Sequence, residues 1–163
     1  MIKYCYEKWN KNRNVLEGTL RGLPSNVLNN YGYESLLKLT INCILNDDVC
    51  GDPRWDVDKI TTIDDGDYQG TFIFLIPENT YQPSAHEYLM TFVYYGSCSC
   101  CDTLQHIQSL WYNDETVPEE AITEFMMLCK DFIMNMIKPY NYGWRRDEIY
   151  DPVTVDDEEE EDD

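Results

Sequence analysis

The chain is poor in basic residues. Its 163 residues carry 12 Lys and Arg against 31 Asp and Glu, for a formal charge of −19. Such a surface repels polyanions, which excludes direct nucleic-acid binding and attachment to an anionic membrane by charge. Long apolar runs are missing too. No stretch of about 18 residues is free of polar groups, so no transmembrane helix is expected. The N-terminal MIKYCYEKWNKNRN lacks the apolar core of a secretory leader, which predicts a cytosolic protein with mostly reduced thiols. Histidine is scarce, and no phosphate-binding loop or zinc-protease motif is present. The 7 cysteines are an odd number, which argues against a complete disulfide framework. The acidic stretch 47–58 does not follow EF-hand spacing and no Glu closes it. It reads as a solvated loop with Trp55 tucked inward.

What is present suffices for one core. Hydrophobic residues make up 43% of the chain, and the length fits a single domain. That domain is assigned to residues 1–155, with an acidic C-terminal tail at Asp156–Asp163. Without the 8 tail acids, 23 acids still face 12 bases, so the body stays near −11. Self-repulsion and the lack of apolar side chains predict disorder for the tail. Residues 1–22 run against this balance, with Lys3, Lys8, Lys11, Arg13 and Arg21. They read as a segment packed along the body, or alternatively as a mobile arm.

Two runs rich in β-branched and aromatic residues, Thr71–Ile76 and Tyr88–Tyr95, predict antiparallel strands. A weaker run at Lys59–Ile63, joined by the turn-forming DDGD, adds a third. The result is a three-stranded meander. Nearly every side chain in the two long runs is apolar, which predicts cover on both sheet faces. Phe72, Phe74, Leu75, Met90, Phe92 and Tyr94 are therefore expected to be mostly buried. Helical periodicity appears at Glu34–Asn46, where Leu37, Ile41, Ile44 and Leu45 share a stripe. It is clearest after Pro118, where Ile122, Phe125, Cys129, Phe132, Ile133, Met136 and Ile137 line up to about Lys138. LPSNVLNNYGY reads as a loop, and the aromatic PYNYGWRRDEIYDP as an extension packed back on the body. The fold class is α+β, a three-stranded antiparallel sheet packed by helices.

The chemistry gathers where the second long strand ends. Three thiols, Cys98, Cys100 and Cys101, follow Gly96 and lead into TLQHIQSLW, read as a helix over about Ser99–Trp111. Cys98 and Cys101 form a CxxC. A helix start there stabilises a thiolate, the physics of dithiol redox sites. Against this stand the antiparallel setting, the missing Trp and Pro, and the third thiol. Zinc is the other chemical reading, with Cys98, Cys101 and His106 as ligands, or His86 in place of His106; a second CxxC is absent. The plainer reading is that small thiols pack a tight junction, with Ser97 or Ser99 capping the helix. Cys98 and His106 can be drawn as a dyad, without independent support.

The segments YQGT, TYQPS and EYLMTFVYYGSCSCCDTLQ are similar to a group of small, uncharacterised proteins encoded by tailed bacteriophages. In that group a strand ending in YGSCS-x-CD-x-LQ recurs. The resemblance covers about 45 residues. It implies viral origin and expression in the bacterial host cytoplasm during infection. It carries no activity, so it transfers no functional residues. In that pattern the position of Cys100 is usually a small residue, which singles out Cys98 and Cys101. The expected function is a non-enzymatic accessory protein, without cofactor, that binds a host protein with a basic surface. Trp9, Tyr140, Tyr142 and Trp144 are its candidate contact aromatics. A zinc- or thiol-site protein with redox or hydrolytic activity is the alternative, and a virion or assembly component a third; solubility alone would also account for the charge.

Overall fold

The computed structural model describes residues 1–47, 51–111 and 116–139. The aromatic extension and the acidic tail lie outside the described residues. The protein is α+β: α1 (Ile2–Gly22), α2 (Ser25–Asn29), α3 (Tyr33–Ile44), β1 (Thr61–Asp64), β2 (Gly70–Pro77), β3 (Tyr88–Tyr95), α4 (Thr103–Ser109) and α5 (Glu119–Met134). The strands form one antiparallel sheet in the order β1-β2-β3. Among the described residues, no helix is long and apolar enough to cross a membrane.

The N-terminal segment packs along the body, as expected, and is not an arm; it does so as a helix of 21 residues. Cys5, Trp9, Asn12, Leu16 and Leu20 recur at helical spacing and are all buried. They pack α1 onto α3 and α5. Trp9, expected as a contact aromatic, is only 5% exposed and belongs to the core. The polar member of the stripe is satisfied. Asn12 Nδ2 donates to the carbonyl of Ile44 at 2.8 Å and to Asp47 Oδ2 at 3.0 Å. Lys8 and Lys11 also donate to Asp47. Burial opposes the Asp47 charge, but the bonds from Lys11, Lys8 and Asn12 outweigh it and hold its carboxyl well below the usual range. The stretch read as a loop contains α2, whose Leu28 is fully buried.

The sheet register fixes two unequal faces. Phe72 pairs with Val93, Phe74 with Thr91, and Ile76 with Leu89. Of these, Phe74, Thr91, Ile76 and Leu89 are fully buried. This face meets α5: Phe74 packs edge-on against Phe132 at 6.2 Å, and Thr91 Oγ1 donates to the Phe132 carbonyl at 2.8 Å. The alternate residues face the other way. Ile73, Leu75, Met90 and Phe92 are half-buried, while Ile63 and Tyr94 are 45% and 70% exposed. The expected burial therefore holds for Phe74, is partial for Phe72, Leu75, Met90 and Phe92, and fails for Tyr94. The pleat sends Tyr94 to the outer face near the strand end. After α5 the chain returns to the free edge of β3, where Met90 and Ile137 exchange two hydrogen bonds of 2.9 Å. That pairing leaves Ile137, last of the predicted stripe, about half exposed. Trp55 is tucked inward as expected, at 1% exposure, clamped by two 2.9 Å bonds with Asn46.

Candidate functional site

Two connections meet at one end of the sheet. Gly70 pairs with Tyr95, so the β1–β2 turn, Asp65–Gln69, lies beside the segment that leaves β3. That segment begins at Gly96, which is buried. A Cβ there would stand 2.5 Å from both the carbonyl oxygen and the Sγ of Cys101. Only glycine lets the chain turn back this tightly.

Asp102, not Ser97 or Ser99, caps α4. The helix starts at Thr103 rather than Ser99, so the thiols sit in the preceding turn. Asp102 is 4% exposed. Its Oδ1 accepts from the Gln105 N–H at 2.8 Å and from the Tyr33 hydroxyl at 3.1 Å, and its Oδ2 accepts from the Gly96 N–H at 3.1 Å. The Tyr33 oxygen accepts in turn from the Leu104 N–H at 3.1 Å. Gln105 Nε2 closes the ring by donating to the Gly96 carbonyl at 3.3 Å. Burial, with the Asp102 charge beside it, pushes the Tyr33 phenol well above its ordinary value. This network ties the turn to α3, 69 residues away in sequence.

On that base the turn presents its sulfurs. The Cys101 and Asp102 N–H groups both donate to the Cys98 carbonyl, at 3.0 and 2.9 Å. Cys98 Sγ and Cys101 Sγ are 3.1 Å apart, and Cys98, Cys100 and Cys101 are all exposed. The hydrogen-bonded contact with Cys98 draws the Cys101 thiol below its ordinary value and pushes the Cys98 thiol up. The other described cysteines differ. Burial pushes Cys5 up to about 11 and Cys129 up to about 12, and raises Cys43 as well. Cys5 and Cys129 lie in the core and Cys43 is half-buried against it, surroundings that disfavour the reactive thiolate.

Neither histidine joins the pair. Each thiol bonds to the other or to the Cys98 carbonyl, not to His106. His86 belongs to the turn before β3, at the opposite end of a strand of 8 residues, roughly 25 Å long. Among the described residues, no group of three His, Cys, Asp or Glu is placed to hold a metal ion. The fourfold donor set of structural zinc is not assembled by these residues.

Beside the turn lies an open cleft of about 280 Å³, lined mainly by Tyr31, Tyr33, Phe72, Tyr95, Gln105 and Gln108. Phe72 and Tyr95 stack at 4.3 Å. The Tyr95 hydroxyl donates to Asp64 Oδ1 at 2.6 Å. That bond, then burial, then the charges of Asp64, Asp65 and Asp67 push its phenol up to about 12. Sequence reasoning missed Tyr31, Tyr33 and Tyr95 as a group. It also missed Asp102, although Asp before a helix-forming TLQ is a cap signal.

Charge is distributed unevenly. Lys8 and Lys11 bind Asp47, Arg21 binds Glu17 and Glu119, Lys38 binds Glu34, Arg54 binds Glu78, and Lys59 binds Asp56. Among the described residues, no ion pair reaches Asp64, Asp65 or Asp67 at the hairpin tip. Tested against family models, curated proteins and solved structures, the chain matches none.

Proposed function

We propose that this chain is a non-enzymatic bacteriophage accessory protein that binds a basic surface of a host protein in the host cytoplasm. The observation that carries the reading is the exposed charge of the β1–β2 tip, which no ion pair reaches among the described residues. Among the described residues, Lys8, Lys11, Arg21, Lys38, Arg54 and Lys59 are engaged in ion pairs elsewhere, while three carboxylates stand exposed, one of them, Asp64, bonded to Tyr95 of an aromatic cleft. Charge draws in a basic partner, and tyrosine rings supply the contact area on which interface energy concentrates. The phage assignment rests on the YGSCS-x-CD-x-LQ resemblance. An acidic tail of eight residues adds to the attraction.

The test replaces Asp64, Asp65 and Asp67 together by Asn. Asn keeps the oxygen that accepts from Gly66, Thr71 and Tyr95, so the turn persists while three charges are lost. Proteins captured from host lysate by the unaltered chain are identified, and their affinities measured against both forms. The triple variant should bind the true partner about tenfold more weakly, with a reduced salt dependence. Equal affinity for both forms would sink the proposal.

A further inference from the structure

We infer that Cys98 and Cys101 form a thiol–disulfide exchange site that takes low-molecular-weight disulfides, with Cys101 attacking, Cys98 resolving and Cys100 outside the reaction. The backbone prearranges the pair. The Cys101 N–H bonds to the Cys98 carbonyl at 3.0 Å, and a turn closed by such a bond keeps its end Cα atoms within about 7 Å. Disulfides span about 4.4–6.8 Å between Cα atoms, so the turn is already near closing geometry. The sulfurs are 3.1 Å apart and exposed, so a small disulfide reaches them without unfolding. The buried Asp102–Tyr33–Gly96 network fixes the base of the turn, and the Cys101 sulfur rests against Gly96, where no side chain intrudes. The Cys100 thiol, also exposed, bonds to neither sulfur among the described residues, although the Cys100 backbone bonds to the Cys98 sulfur.

The roles follow from the environment of each sulfur. The turn seats the Cys101 sulfur against Gly96 with bonds from Cys98 and Ser97, which draw its thiol below the ordinary value, while the contact with Cys101 pushes the Cys98 thiol up. In the first step the Cys101 thiolate attacks one sulfur of RSSR. A mixed disulfide forms and RS⁻ leaves. In the second, Cys98 loses its proton to solvent and attacks the Cys101 sulfur, and the second RS⁻ leaves. The small disulfide is reduced to two thiols while the protein dithiol is oxidised to one disulfide. The site stands apart from the protein-binding reading, and its test needs no partner.

Reduced full-length protein is treated with glutathione disulfide, quenched with acid and mapped by mass spectrometry. The unaltered chain should lose two hydrogens, retain no glutathione and yield a Cys98–Cys101 crosslinked peptide. Cys98→Ser should trap glutathione on Cys101. Cys101→Ser should react at Cys98 at least about tenfold more slowly. Cys100→Ser should behave as the unaltered chain. All three positions are exposed, and circular dichroism confirms the fold of each variant. Glutathione accumulating on both cysteines without closure would overturn the site, as would loss of closure in Cys100→Ser. Equal trapping rates in the first two variants would overturn the assigned roles.

Discussion

Replacing Asp102 by Ala removes the carboxylate on which the end of the sheet is assembled. Three donors lose their acceptor: the N–H of Gln105, the N–H of Gly96 and the hydroxyl of Tyr33. The first is an N-cap, worth about 1 kcal/mol. The other two are buried, and each orphaned buried donor costs about 1–3 kcal/mol. Tyr33 keeps the incoming bond from Leu104, which places its share at the lower end. The expected cost is about 3–5 kcal/mol, a large part of the roughly 5–15 kcal/mol that stabilises a domain. Asp102→Asn discriminates the mechanism. Its oxygen still serves Gln105 and Tyr33, but its NH₂ then faces the Gly96 N–H, donor against donor. That variant should lose about 1–3 kcal/mol. Urea unfolding of the full chain measures both, with an unchanged m-value showing that only stability moved. An Ala variant within about 0.5 kcal/mol of the unaltered chain, or an Asn variant as damaged as Ala, would refute the reasoning.

Phe74, fully buried between the sheet and Phe132, should cost roughly 3–5 kcal/mol when truncated to Ala, read by the same unfolding assay. The depressed Asp47 carboxyl makes stability depend on acid. Its contribution is complete above the unfolded Asp value of about 3.9 and is lost as pH falls toward the lower folded value. Asp47→Asn should therefore be less stable than the unaltered chain at pH 7, and that difference should shrink in stability curves taken from about pH 5 downward. Gly96→Ala places a methyl 2.5 Å from the Cys101 carbonyl oxygen and sulfur. Disulfide closure at Cys98–Cys101 should slow by about tenfold or more in a glutathione redox buffer, because the sulfurs no longer start in register.

The parts of the fold legible in the sequence are those where one physical signal dominates. The apolar stripe of α5 repeats over about three turns with no polar member among Ile122, Phe125, Cys129, Phe132 and Ile133, and all are buried. β3 was bounded correctly at Tyr88–Tyr95 because Gly96 ends its run. α1 was missed because its buried stripe is narrow, crossed by charge and includes Asn12. That residue is tolerable only because α3 supplies the Ile44 carbonyl. Uniformly apolar strands suggested cover on both faces. They do not encode which face meets α5, and Tyr94 fell on the other. At the site, the pairing of Cys98 with Cys101 was readable from spacing alone. The roles of Tyr33 and Asp102 were not, because their bond joins residues 69 positions apart. The helix starts about four residues later than expected because Ser and Cys before Asp102 carry weak propensities, and the cap overrides them.

Charge-driven recognition of a host protein is tested most directly by the association rate of the identified partner, followed from about 50 to 500 mM salt, with and without Asp156–Asp163. The rate should fall steeply with salt for the full chain. For the chain without its tail, association should be slower and its salt dependence flatter, at unchanged stability. A rate insensitive both to salt and to loss of the eight tail acids would contradict it and reduce the charge to a solubilising role.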